Sequence, residues 1–346
     1  MININGVDIG KGYKPYIVAE VSANHNGSID KCKNLIRIAK EKGADAVKLQ
    51  TYKPESLTVN SRLEDFLIKD GLWKGRNLYE LYEEAHTPWE WFDELFTFAS
   101  KNKITIFSSP FDKEAVDLLE SLDCPAYKIA SFEILDHELI RYAASKKKPV
   151  ILSTGMADKE EIQEAIDVVK QTGNENIVIL HCVSGYPSKP EDYNLRTVLE
   201  MQKSFGVDVG LSDHTISNNA AIASVALDIC FIEKHFTLDK NGGGPDDSFS
   251  MEPQDLENLC LSVKEAYASL GKANFDLKEA EKNSLVFRRS LYFMKNLKKG
   301  HILSKDDVRC IRPGYGIKPK YINDIIGKKL KNDVSKHKAV SFKDFE

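Results

Sequence analysis

Eight short apolar or β-branched runs recur through the first two-thirds of the chain, at 16–23, 46–51, 104–110, 126–131, 149–154, 177–183, 207–213 and 229–236. Longer segments with helical periodicity lie among them, clearest at 28–43, 87–102, 113–121 and 158–172, and another follows at 253–270. Near-continuous apolar strands joined by crossover helices predict a parallel sheet buried on both faces. Eight units fit a closed (β/α)8 barrel better than an open doubly wound sheet. No Gly-x-Gly-x-x-Gly follows the first strand, which removes the main reason to prefer a dinucleotide-binding fold.

The ends of these runs carry the next argument. They finish in Glu20; Lys48 and Gln50; Ser108 and Ser109; Lys128 and Ser131; and Ser153 and Thr154. The series continues through His181 and Ser184, Ser212, Asp213 and His214, and Glu233, Lys234 and His235. A barrel gathers the carboxyl ends of its strands at one mouth, so a single pocket would collect these groups. Scattered surface polarity has no reason to choose the same end eight times. The pattern therefore predicts an enzyme.

Beyond Leu270 the rhythm breaks. Short strand-like pieces are interrupted by Gly300, Pro313, Gly314, Gly316 and Gly327. The expected organisation is a barrel over 1–270, a linker over 271–283 and a small loop-rich module over 284–346. A net charge of −4 argues against a general nucleic-acid or membrane-surface binder. The six cysteines form no Cys-x-x-Cys pair, the amino terminus lacks a signal-like apolar run, and no stretch is apolar enough to span a bilayer. A cytoplasmic location is expected.

Lys48 and Lys128 stand inside apolar strands, where an unpaired ammonium is costly. Either each snorkels to solvent, or the two converge with Ser109, Ser131 and Ser153 on a phosphate and a carboxylate. Lys48 and Gln50 share a strand face by alternation. His214 and His235 end neighbouring strands and suit a divalent metal with open positions for water and substrate; the bland alternative is two hydrogen-bonded structural histidines. Glu20 is a candidate general base, a holder of metal-bound water, or an ion-pair partner for Lys48. The loop 242–253 reads as mobile cover in which Asp246 could bond a sugar hydroxyl.

Six ordered segments, Ala-Glu-Val-Ser-Ala-Asn-His-Asn-Gly, Val-Lys-Leu-Gln-Thr, Tyr-Lys-Ile-Ala-Ser, Leu-Ser-Thr-Gly-Met, Leu-Ser-Asp-His-Thr and Glu-Lys-His-Phe-Thr, resemble the motifs of the sialic acid synthase family. The end of the chain, with Arg288-Arg-Ser and Arg312-Pro-Gly-Tyr-Gly-Ile, resembles that family's antifreeze-like (SAF) domain. The resemblance implies a (β/α)8 barrel that condenses phosphoenolpyruvate with an acylamino-sugar. It implies a phosphoenolpyruvate site at Lys48, Lys128, Ser109, Ser131, Ser153 and Ser212, and a divalent metal (Mn2+, Mg2+ or Co2+) on His214 and His235. Glu20 would position a metal-linked water. Gln50, Glu133, Tyr186 and Asp246 would line the sugar side, with Ser184 near the substrate. A domain-swapped homodimer is also implied, Arg312 reaching the acylamino group in the other subunit.

The aromatic segments 66–73, 78–82 and 87–91 and the loop 242–253 resemble the pseudaminic acid branch of that family. Ser184-Gly185 departs from the asparagine or alanine that many relatives carry before the tyrosine. Phe249 and Met251 are expected to shelter the methyl group of a deoxysugar. Neuraminate and legionaminate synthases share the same motifs and stay as alternatives. Two further readings are a Schiff-base aldolase using Lys48 or Lys128, and a binding protein with a silent barrel.

Overall fold

The computed structural model describes residues 1–346, which divide into two compact units, Met1–Gly271 and Lys272–Glu346. The first opens with a hairpin, β1 (Ile2–Ile4) and β2 (Val7–Ile9), turned by Asn5-Gly6 with both residues at positive φ. This is the backbone a two-residue hairpin loop requires. Ile2, Ile4 and Ile9 join the main core, and Asn5 and Lys11 bond Thr105 and Asp208, which start two barrel strands. The hairpin therefore lies across the amino-terminal end of the barrel, opposite the polar strand ends.

The barrel strands are β3 (Tyr16–Glu20), β4 (Ala46–Thr51), β5 (Thr105–Pro110), β6 (Tyr127–Ile129), β7 (Val150–Ser153), β8 (Ile177–Cys182), β9 (Asp208–Asp213) and β10 (Phe231–His235). All neighbours are parallel, and β10 pairs with β3 to close the ring. Three strands end where their apolar runs end, at Thr51, Pro110 and Asp213, and the others stop one to three residues sooner, with Ser22 and Ser131 beyond β3 and β6 lining the pocket. Helices Ile29–Glu41, Lys113–Ser121, His137–Ser145 and Lys159–Gln171 start at Ser28, Asp112, Asp136 and Asp158, whose side chains accept from first-turn amides. Their apolar faces, such as Cys32, Leu35, Ile36 and Ala39 of the first, pack onto the barrel.

Period-two alternation fixes what each strand presents. On β10, Phe231, Glu233 and His235 share the inner face, while Lys234 turns outward to pair with Asp213 at 2.9 Å. The register aligns His235 with Glu20 and Glu20 with Lys48, setting an imidazole, a carboxylate and an ammonium at one height.

The second unit carries the antiparallel pair β11 (Ser290–Phe293) and β12 (Val308–Ile311) around its own core of Leu291, Phe293, Leu303, Ile325 and Leu330. Residues 272–283, expected as a linker, group with it. No helix of the protein is long and apolar enough to cross a membrane.

Candidate active site

At the carboxyl ends of the barrel strands lies a cavity of about 400 Å³. A wider depression of about 730 Å³ elsewhere is lined by Asn5 and Thr105, and its charged members, Asp93, Lys101, Lys103 and Asp123, are all exposed. Only the first cavity holds buried charge.

Its floor is an ion network. Lys48 is 2% exposed and does not snorkel: Nζ sits 2.8 Å from Glu20 Oε2 and 3.5 Å from Glu233 Oε1, and donates to Ser109 Oγ at 3.1 Å. Lys128 Nζ lies 3.1 Å from the same Glu233 oxygen. Burial works to raise Glu233, but the ammonium groups of Lys128 and Lys48 outweigh it and hold the carboxylate below its ordinary range. Burial pushes Glu20 up, against the pull of Lys48 and with the help of the Glu233 charge. Two lysines thus share one firmly ionised carboxylate, leaving positive charge for an anion. Glu233 Oε2 has no hydrogen-bond partner of its own.

Beside the lysines is a cradle of hydroxyls. Ser131 Oγ donates to Ser153 Oγ at 3.0 Å and accepts from the Gly155 amide at 3.1 Å. A Cβ on residue 155 would fall 2.2 Å from Ser184 Oγ and 2.8 Å from Ser131 Oγ, so the glycine keeps this space open. Serine hydroxyls and ammonium groups in one recess form an anion site. Ser212 is buried beside Glu233 in register and does not line the cavity.

The two histidine rings stand 5.5 Å apart. His214 Nδ1 faces the Val183 carbonyl at 2.8 Å, which fixes that nitrogen as donor and frees Nε2. Burial favours neutral His214, but negative charge on the Cys182 sulfur at 3.9 Å and the Val183 carbonyl pull it toward the protonated form. Burial, then the charges of His214 and the lysines, hold His235 well below the ordinary histidine range, and its Nδ1 has no partner. A neutral imidazole with an orphaned nitrogen beside a second ring, with an unpartnered Glu233 oxygen in the same cavity, fits a divalent cation. No third side chain completes a cage, so water or substrate would fill the remaining positions.

A hydrogen-bond chain borders the rings. Gln50 Nε2 donates to Glu20 Oε1 and Ser22 Oγ, both at 3.0 Å, and Ser22 Oγ donates to Asp246 Oδ2 at 2.5 Å. Asp246 Oδ2 is 3.7 Å from His235 Nδ1. Both Gln50 N–H groups are spent inward, which leaves its carbonyl oxygen as the free acceptor. Tyr186 lies 4.4 Å from the His214 ring, and Glu133 stands above Lys128 with its carboxyl pushed up to about 7 by burial against the pull of that lysine.

The structure brings Glu20, Lys48, Gln50, Lys128, Ser131, Glu133, Ser153, Tyr186, His214, His235 and Asp246 to the cavity wall, with Ser109 and Ser184 immediately behind. Phe249 and Met251 are a correction. Phe249 packs 5.0 Å from His235 and 5.4 Å from Tyr186, and Met251 pairs with Phe236 in the core; neither lines the cavity. At the turn Asp247–Phe249 the aromatic ring is buried against His235 and Tyr186, behind the cavity wall and not on its lining. Arg312 belongs to the second unit. Ser22 is a site residue that the strand-end reading does not name, and Glu233 is one that it names without a role, although Glu233 sits two positions before His235, on the same strand face.

Residues 35–275 match the NeuB family and residues 288–346 the SAF domain. The chain belongs to the NeuB family. This NeuB-family chain is 44% identical over 332 residues to a pseudaminic acid synthase of Campylobacter jejuni, covering 96% of this chain and 97% of that one. A pseudaminic acid synthase of Helicobacter pylori is likewise 44% identical, over 96% of this chain and 98% of its own. Among solved structures, an N-acetylneuraminic acid synthetase of Leptospira borgpetersenii in complex with citrate superposes with a TM-score of 0.73 at 27% identity, over 82% of this chain and 94% of that one.

Proposed function

We propose that this NeuB-family chain is a cytoplasmic pseudaminic acid synthase, joining phosphoenolpyruvate to 2,4-diacetamido-2,4,6-trideoxy-L-altrose with water to give pseudaminic acid and phosphate. The observation that carries this reading is the juxtaposition of the cradle around Gly155 with the Lys48–Glu233–Lys128 network in one cavity. Together they suit an anion with both a phosphate and a carboxylate. The full-length similarity to pseudaminic acid synthases supports the choice of sugar.

In this reading the serines around Gly155 receive the phosphate, and the lysines offset the carboxylate. The methylene carbon of phosphoenolpyruvate attacks the sugar aldehyde, forming the new carbon–carbon bond. The adjoining carbon becomes oxocarbenium-like, water adds to it, and phosphate departs with its bridging oxygen by carbon–oxygen cleavage. Glu20, raised by burial and paired through Oε2 with Lys48, is placed to hold or move a proton there. Gln50 offers its carbonyl oxygen to a sugar N–H or O–H. A divalent cation (Mn2+, Mg2+ or Co2+) on His214 and His235 would supply Lewis-acid polarisation of the aldehyde oxygen. The functional unit in this reading is a homodimer in which Arg312 of each subunit serves the partner's barrel.

The test is phosphate release from phosphoenolpyruvate with Mn2+, offering the altrose sugar, its legionaminate-pathway isomer and N-acetylmannosamine separately. Release with only the altrose sugar, abolished by chelator, is the expected result. Release with another sugar instead moves the chain to another branch of the family. Chelator-resistant turnover with borohydride trapping on a lysine would overturn the mechanism.

A further inference from the structure

The cavity has two unlike sides. The floor is charged, and the opposite wall is built largely from Leu57, Ile68, Trp73, Leu78 and Leu81. Ile68 and Trp73 come from a strap that has no place in the barrel repeat. After the short helix Pro54–Leu57 the chain turns through Glu64–Phe66 and doubles back as a narrow hairpin. The Ile68 amide donates to Arg76 O at 2.9 Å, the Gly75 amide to Ile68 O at 2.8 Å, and Leu67 bridges Asn77. Gly71 and Gly75, both at positive φ, allow the turn between them. At the tip, Trp73 Nε1 donates to the Pro245 carbonyl at 2.9 Å, and the ring packs 5.7 Å from Tyr186. The strap thereby crosses the mouth of the site and latches to the residue preceding Asp246.

The latch has a chemical consequence. Indole has one donor, and here it is spent on Pro245. What Trp73 turns to the cavity is carbon, and Ile68 has nothing else to offer. A hydroxyl placed against this surface would leave water without a replacement partner. A methyl group would gain contact instead. The floor fixes the reacting end of both substrates, so the apolar wall is left for the far end of the sugar.

We propose that the 58–77 strap selects the sugar, with Ile68 and Trp73 as the surface on which a C6 methyl group rests and a C6 hydroxymethyl is disfavoured. This rests on the reading of the site as one for an acylamino-sugar aldehyde, but not on which sugar is used.

The test measures kcat/KM for two pairs differing only by the C6 hydroxyl: the altrose substrate with its 6-hydroxy congener, and 6-deoxy-N-acetylmannosamine with N-acetylmannosamine. The parent enzyme should prefer the 6-deoxy member of any pair it accepts by about 10- to 100-fold. Trp73→Ala and Ile68→Asn should each reduce that ratio to within about threefold, leaving KM for phosphoenolpyruvate unchanged. Trp73→Phe, which keeps a ring but loses the latch, should retain most of the preference. Equal efficiency for both members in the parent, or an unaltered ratio in Trp73→Ala and Ile68→Asn, overturns the proposal. Turnover confined to the mannosamine pair, with the 6-deoxy preference intact, sinks the pseudaminic assignment and leaves the strap's role standing. No turnover of either pair overturns both.

Discussion

Gly155 shows how one missing side chain makes an anion site. The space between Ser131 and Ser184 exists only because residue 155 has no Cβ, which would lie 2.2 Å from one hydroxyl. Gly155→Ala should therefore displace the serines and raise KM for phosphoenolpyruvate on the order of 100-fold, leaving KM for the sugar nearly unchanged. Steady-state kinetics with each substrate varied in turn checks this, and equal effects on both would place the anion elsewhere. Glu133 offers a second residue-scale prediction, in stability. Its folded value of about 7 exceeds the ordinary glutamate value of about 4.3. The favourable contribution is therefore complete below the unfolded value and is lost as pH rises through 7. Glu133→Gln removes that loss, so the variant should exceed the parent by about 1–2 kcal/mol near pH 8 and gain little near pH 4. Urea unfolding at both pH values decides it; a gain independent of pH would mean that Glu133 does not ionise in a buried site.

Between strands, the pair Lys234–Asp213 ties β10 to β9 on the outer face, one residue from each histidine. Asp213 also accepts from the Thr215 amide at 2.9 Å. Lys234→Met leaves a buried carboxylate short of its cation, a change that typically costs about 3–5 kcal/mol. It should also loosen the register that sets His214 beside His235, weakening activity. Asp213→Leu combined with Lys234→Met should recover most of the stability, and a double mutant as unstable as the single one would refute the pairing argument. The element scale also explains what the chain discloses before folding. Strand order and the polar strand ends are legible because buried parallel strands must be apolar and a barrel aligns their ends. Lys48, Lys128, His214 and His235 follow from that rule, and Glu233 follows equally once alternation is applied back from His235. The hairpin at Ile2–Ile9 is hidden in two three-residue strands, too short for periodicity, although Asn5-Gly6 marks its turn. Phe249 misleads because a loop residue has no periodicity to state its direction, and at the turn Asp247–Phe249 it is buried behind the cavity wall. Trp73 reaches the cavity through a hydrogen bond to Pro245, 172 residues away along the chain. No local pattern encodes such a contact.

At the scale of the whole chain, charge is unevenly divided. Residues 272–346 hold more than twice as many Lys and Arg as Asp and Glu, whereas the chain as a whole is at −4, so the barrel unit is strongly acidic. In the proposed homodimer, opposite charge on the two units predicts association between copies that slows as salt rises. The decisive question is whether Arg312 acts in its own subunit or in the partner's. Glu20→Gln removes a group from the barrel cavity, and Arg312→Ala removes one from the second unit; each alone should be nearly inactive. Mixed after gentle dissociation and reassociation, they form heterodimers as half of all dimers. If Arg312 serves the partner, each heterodimer holds one site carrying both defects and one carrying neither, and the mixture recovers about a quarter of parental activity. If Arg312 serves its own barrel, every site in the heterodimer carries one defect and no activity returns. The two arrangements thus differ by presence against absence of turnover, and mixing at low and high salt should change only the rate at which activity appears.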